Sequence, residues 1–137
     1  MTASKKINII GQTYESLAKI VSSQLIVLDN TKNLKIKDIK NSILFLFASW
    51  SPTIVFFKLL IDVLKENNIN DITIYILNID GISYSFYEKE LKSLSHGKGE
   101  TFWIKNGKII GELLNYDKGY EDKIKIFTEK IIDISTL

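Results

Sequence analysis

The stretch FASWSPTIVFF, residues 47–57, joins two elements of different type. The run SILFLFAS (42–49) is apolar at nearly every position, which is typical of a strand buried on both faces of a parallel sheet. The run PTIVFFKLLIDVLKENN (52–68) has the spacing of an amphipathic helix. We expect Ser51 to be the N-cap of this helix and Pro52 its first residue, because both residue types favour those positions. The stretch is therefore predicted to be a strand–turn–helix corner with Trp50 at the turn.

Helix and strand patterns alternate along the rest of the chain. Strands are expected at 6–10, 25–29 and 71–80, helices at 13–24, 83–96 and 120–134, and a loop at 30–41. Thr13 is the expected N-cap of the first helix, and Leu34, Ile36 and Ile39 are expected to point inward from the loop. Asn106-Gly107 lies at the centre of a β-rich run (101–114), which predicts a hairpin with a type I′ turn. The order predicts an α/β fold whose central mixed sheet has a parallel core, a C-terminal antiparallel hairpin and helices on both faces.

Length and composition favour one ordinary globular domain. The 137 residues are 45% apolar and 25% charged, and we expect a single domain over 1–137. Within it, 1–41 forms a β-α-β lead-in and 42–134 forms the core. The formal net charge is only +2, which does not favour nucleic acid as a partner.

Residue types exclude several kinds of chemistry. The chain has no cysteine and one histidine, His96, so thiol chemistry is excluded and neither a metal site nor a cofactor is expected. The most apolar segment (43–64) is interrupted by Ser, Pro, Lys and Asp, so it does not favour a membrane span. The first twelve residues lack the apolar core of a signal peptide, and we expect a cytoplasmic protein.

The corner and the hairpin together resemble the thioredoxin-like superfamily. Members carry an aromatic-Ala-x-Trp segment before a Cys-x-x-Cys pair, and Phe47-Ala48-Ser49-Trp50 matches that segment. They also carry a cis-Pro-Thr step that opens the hairpin strand, then an aromatic run and Asn-Gly. The segment 100–108 (ETFWIKNGK) matches all of this except the proline. The resemblance covers about residues 40–134 and implies a thioredoxin-like fold.

Four departures from the family's pattern imply a redox-inactive member. Ser51 and Ile54 stand where the two cysteines would be, so no disulfide can form. Phe45 stands where thioredoxins keep a buried acid for proton transfer. Glu100 replaces the cis-proline, and we expect a trans peptide there, because a non-proline cis bond costs roughly 3 kcal/mol.

The hypothesis that best fits these residues is a non-catalytic module that binds another protein through the former dithiol surface. The expected protein-binding residues are Trp50, Ser51, Pro52, Thr53, Ile54, Glu100 and Thr101, and Glu100 is expected to contribute an acidic rim. The module would be an adaptor, an assembly factor or an immunity protein that neutralises a toxin. Two alternatives remain. One is a non-redox enzyme that uses Ser51, His96 or Glu100, with a Ser51–Glu100 hydrogen bond. The other is a structural homodimer formed through the apolar helix 54–64 or the hairpin edge.

Overall fold

The structure, a computed structural model, describes residues 13–132. Its five strands are β1 (Leu25–Leu28), β2 (Ser42–Phe47), β3 (Thr73–Asn78), β4 (Thr101–Lys105) and β5 (Lys108–Leu113). Its helices are α1 (helical over residues 13–20), α2 (Thr53–Glu66), α3 (Tyr84–Phe86, continued by a π-helical turn over Tyr87–Leu91) and α4 (Tyr120–Ile131). Short 3-10 turns cover Ile36–Asp38 and Ile79–Gly81. The strand expected at 6–10 and the last residues of the helix expected at 120–134 lie outside the described residues.

The strands form one mixed sheet in the order β1-β3-β2-β4-β5. Strand β3 pairs in parallel with both β1 and β2, whereas β2–β4 and β4–β5 are antiparallel. The parallel core and the C-terminal hairpin are therefore confirmed. Asn106 and Gly107 have φ values of 49° and 78°, as a type I′ turn requires at both central positions.

Strand β2 is buried along its whole length because both faces of the sheet are covered. Ile43, Phe45 and Phe47 point into a core formed with α1, α2 and α4. Leu44 and Leu46 point into a second core formed with α3 and the 36–38 turn. Helices on both faces are thus confirmed, as is the inward position of the apolar side chains in the 30–41 loop.

Four sequence expectations about helix ends were wrong. The helix expected at 13–24 ends at residue 20. Thr13 is itself helical and is not an N-cap. Helix α2 begins at Thr53 with Pro52 in the N-cap position, and no side chain caps it. The helix expected at 83–96 ends at Leu91, where Lys92 turns left-handed with φ 57°. The early end of α3 matters for the site, because it leaves the backbone of 92–100 to form a loop.

Within residues 13–132, no helix is long and apolar enough to cross a membrane.

Candidate functional site

The corner after β2 lies against the loop that precedes β4. The Ser51 hydroxyl donates to the backbone carbonyl of Gly97. It therefore faces the loop and not the first turn of α2, which explains why it does not cap that helix. Because β2 and β4 are paired neighbours, with Phe45 opposite Thr101, the segments that flank them meet at the same end of the sheet. The corner 50–54 and the turn 100–101 are thus neighbours, as the sequence predicted.

Trp50 stands exposed at the tip of this corner. Its side chain is 64% exposed, a far larger fraction than for the aromatic side chains of the core. A Cβ added to Gly97 would lie 2.2 Å from Cη2 of the indole, so the indole packs directly against the Gly97 backbone. Gly97 has a φ of +71°, a conformation that side chains disfavour. The glycine therefore gives one face of the indole a close backing while the rest of the ring meets solvent.

Glu100 organises the loop from inside. It is 1% exposed, and its carboxylate accepts hydrogen bonds from the Ser95 hydroxyl (3.0 Å), the Lys98 backbone N–H (3.3 Å) and the His96 backbone N–H. A buried carboxylate is costly unless it is hydrogen-bonded, and here local donors meet that need. The segment 95–98 consequently wraps around the carboxylate and places Gly97 under Trp50.

This arrangement corrects two expectations about Glu100. No hydrogen bond joins it to Ser51 among the described residues, because each side chain is directed to backbone groups of the loop. It also forms no acidic rim, since its carboxylate is buried. The trans peptide expected at this position is confirmed, as no cis bond occurs in the described chain.

Thr101 anchors the other end of the loop. It is fully buried, and its hydroxyl donates to the Gly99 carbonyl at 2.8 Å. The hydroxyl of Tyr116 lies 2.7 Å from Oγ1 of Thr101. The Tyr116 ring stacks on Phe56 of α2, with ring centroids 5.6 Å apart. The loop is thereby tied to α2 and to the segment before α4.

The seven residues expected at the binding surface divide into an exposed group and a buried group. Trp50 and Pro52 are exposed, and Ser51 and Ile54 are partly exposed. Thr53, Glu100 and Thr101 are buried, so they present almost no surface of their own, and their part in a binding surface stays a prediction. Their hydroxyl and carboxylate groups instead hold the corner and the loop in place.

Sequence reasoning missed Tyr14 as part of this region. Its hydroxyl lies 3.0 Å from Thr53 Oγ1, and its ring packs at 4.7 Å from Phe57. Burial raises the pKa of Tyr14 to about 12. Tyr14 and the corner line a cavity of about 200 Å³ together with Phe47, Ala48 and Ile54. A tyrosine in a polar first helical turn gives no sequence signal for such a role.

The position of the missing proton-transfer acid is filled by an aromatic ring. Phe45 is fully buried, with ring centroids 5.1 Å from Phe57 and 6.0 Å from Tyr14. The chain has no cysteine, so the corner lacks the thiols that thiol–disulfide exchange requires. In the described part of the chain, no group of three or more His, Asp or Glu residues could hold a metal ion.

Comparison with solved structures identifies the fold. A thioredoxin pre-protein from Schistosoma mansoni matches with a TM-score of 0.52 and 18% identity, over 80% of this chain and 99% of that one. Thioredoxin O1 from Arabidopsis thaliana matches with a TM-score of 0.54 and 18% identity, over 79% and 97%. A mutant thioredoxin from Halobacterium salinarum matches with a TM-score of 0.54 and 13% identity, over 81% and 93%. No protein-family model matches the sequence, and no curated protein matches it significantly.

The chain therefore has a thioredoxin-like fold. Since it contains no cysteine, it lacks the reactive pair of a thiol–disulfide oxidoreductase.

Proposed function

We propose that this protein is a non-catalytic module that binds another protein through the surface around Trp50. The observation that carries the proposal is an indole 64% exposed and backed on one side by a glycine backbone. A large aromatic ring held in place loses little conformational entropy on binding, and such rings are frequent interface anchors. Pro52 and the partly exposed Ile54 extend the apolar surface beside it.

The size of the neighbouring cavity favours a polypeptide over a small-molecule substrate. Its volume is about 200 Å³, whereas pockets for small molecules usually measure about 300–1,000 Å³. A single apolar side chain of a partner fits a space of this size.

The arrangement of Ser51, His96 and Glu100 gives little support to the enzyme alternative. Serine needs an adjacent general base to act as a nucleophile. The Ser51 hydroxyl donates to a backbone carbonyl, and the Glu100 carboxylate is occupied by three loop donors. His96 meets Glu100 through its backbone N–H, and no hydrogen bond of its ring to Ser51 occurs among the described residues.

The particular role as adaptor, assembly factor or toxin-neutralising immunity protein stays a prediction. The cytoplasmic location and the homodimer also stay predictions. Light scattering tests the homodimer, and the reading frames next to the gene would separate an immunity protein from an assembly factor.

Photo-crosslinking in the native cell extract tests the proposed surface. A photoreactive phenylalanine analogue placed at position 52, beside Trp50, is expected to crosslink a partner protein. The matched control carries the same analogue at position 126, since Ile126 is 50% exposed on α4. A partner crosslinked from 52, absent from 126 and lost with Trp50→Ala supports the proposal. Equal crosslinking from both positions, or none from 52, contradicts it.

A further inference from the structure

A second surface, distinct from the Trp50 corner, follows the outer edge of the hairpin. Strand β5 pairs only with β4, so its other edge has no strand neighbour in the described chain. Ser42, the first residue of β2, lies opposite Ile104, so the hairpin turn lies at the end of the sheet away from the corner. This surface is therefore independent of the proposed function.

A groove of about 650 Å³ runs along this edge. Its lining includes every residue from Gly107 to Glu112, whichever face of the sheet each side chain occupies. Because consecutive residues of a strand point to opposite faces of the sheet, this unbroken run indicates that the groove follows the edge of β5 and not one face of the sheet. The 36–38 turn and the end of α3 supply the facing wall, through Lys37 and residues 89–92.

The groove carries an excess of positive charge. Four lysines line it, Lys37, Lys89, Lys92 and Lys108, against two glutamates, Glu90 and Glu112. All four lysines are exposed. None of them forms an ion pair with another residue of the 13–132 region, where the one ion pair joins Lys19 to Glu15. Their charges are thus available to a partner.

We propose that this edge accepts an extended acidic polypeptide segment as a sixth strand. An open strand edge presents backbone N–H and C=O groups in a row that a peptide can pair with. The lysines select the charge of that peptide, since complementary charge favours the encounter and like charge opposes it. A second copy of this chain is a poor occupant, because both grooves carry the same excess of positive charge.

Binding of synthetic peptides to the full chain tests the inference. The probe is a fluorescein-labelled Glu-Val-Glu-Val-Glu-Val peptide, measured by fluorescence anisotropy and by amide hydrogen exchange. We expect saturable binding, with slower exchange of those β5 amides that do not bond to β4. A Lys-Val-Lys-Val-Lys-Val peptide is expected not to bind. An acidic peptide N-methylated at every residue is expected to bind at least tenfold more weakly, because neither of its edges can donate backbone hydrogen bonds to the strand.

Charge-reversal variants locate the binding. The double change Lys89→Glu/Lys92→Glu is expected to weaken binding of the acidic peptide about tenfold. The matched control Lys58→Glu/Lys65→Glu makes the same charge change on exposed positions of α2 and is expected to leave binding almost unchanged.

Four results would overturn the inference. These are no binding of the acidic peptide, equal binding of its N-methylated form, equal loss in both double variants, and tighter binding of oligothymidylate than of the acidic peptide. The last result would assign the lysines to a nucleic acid.

Discussion

Replacing Glu100 tests how the loop under Trp50 is held. Glu100→Ala removes the acceptor of three hydrogen bonds, from the Ser95 hydroxyl and the backbone N–H groups of His96 and Lys98. Hydrogen bonds to charged groups contribute about 1.5–3 kcal/mol each. Two effects reduce the total. His96 and Lys98 belong to an exposed loop, which can rearrange to bring their freed N–H groups to water. Burial of the carboxylate is itself costly. We therefore expect Glu100→Ala to lower the free energy of unfolding by about 3 kcal/mol.

Glu100→Gln tests the same hydrogen bonds with a side chain of the same shape but no charge. One carboxylate oxygen accepts from Ser95 and Lys98, and the other accepts from His96. An amide has a single oxygen, so its NH₂ group must face one of the backbone N–H donors. The substitution preserves shape but loses at least one charge-assisted bond, at a cost of about 2 kcal/mol.

Urea denaturation followed by circular dichroism measures both changes. With a denaturant slope of about 2 kcal/mol per molar urea, the midpoint should fall by about 1.5 M for the alanine variant and about 1 M for the glutamine variant. The matched control Glu129→Ala removes an exposed carboxylate from α4 and should change stability by less than about 0.5 kcal/mol. A loss below about 0.5 kcal/mol for Glu100→Ala would refute the idea that this carboxylate organises the loop.

Two further predictions concern the surroundings of Trp50. Gly97→Ala places a Cβ within 2.2 Å of the indole at a φ of +71°. It should lower the free energy of unfolding by roughly 1–2 kcal/mol. It should also displace Trp50, and fluorescence of the remaining indole in a Trp103→Phe background measures this displacement. Unchanged emission would contradict the contact. The raised pKa of Tyr14, about 12 against an ordinary 10.0, means that the unfolded chain loses this proton first as the pH rises. The associated stability is complete below about pH 10 and declines towards a loss of roughly 3 kcal/mol above pH 12. Urea midpoints measured from neutral to alkaline pH should fall less steeply for Tyr14→Phe than for the unchanged chain, and parallel curves would contradict the burial of this hydroxyl.

The sequence predicts the sheet well because its signals are local. The buried run of β2 and the Asn106-Gly107 turn each specify their own geometry, and both are confirmed. Alternation of elements then limits the ways in which the strands can be ordered. The resemblance around Trp50 predicts which end of the sheet holds the candidate site.

The sequence did not predict how the site is held, because those contacts join residues far apart in the chain. Ser51 has the residue type of an N-cap, yet it donates to Gly97, which is 46 residues away. The pattern of 83–96 resembles a helix throughout, but the N–H of His96 binds Glu100 instead of a carbonyl one turn earlier. A glutamate after two glycines is a weak signal for a buried carboxylate, so only the three-dimensional structure reveals its role.

Calorimetric titration of the crosslinked partner, once purified, tests the central claim most directly. If Trp50 anchors the interface, Trp50→Ala should weaken binding by about 30-fold or more, which corresponds to about 2 kcal/mol. The control Tyr84→Ala, at an aromatic residue 73% exposed on α3, should bind almost as tightly as the unchanged protein. Equal affinities for the unchanged protein and Trp50→Ala would contradict the account.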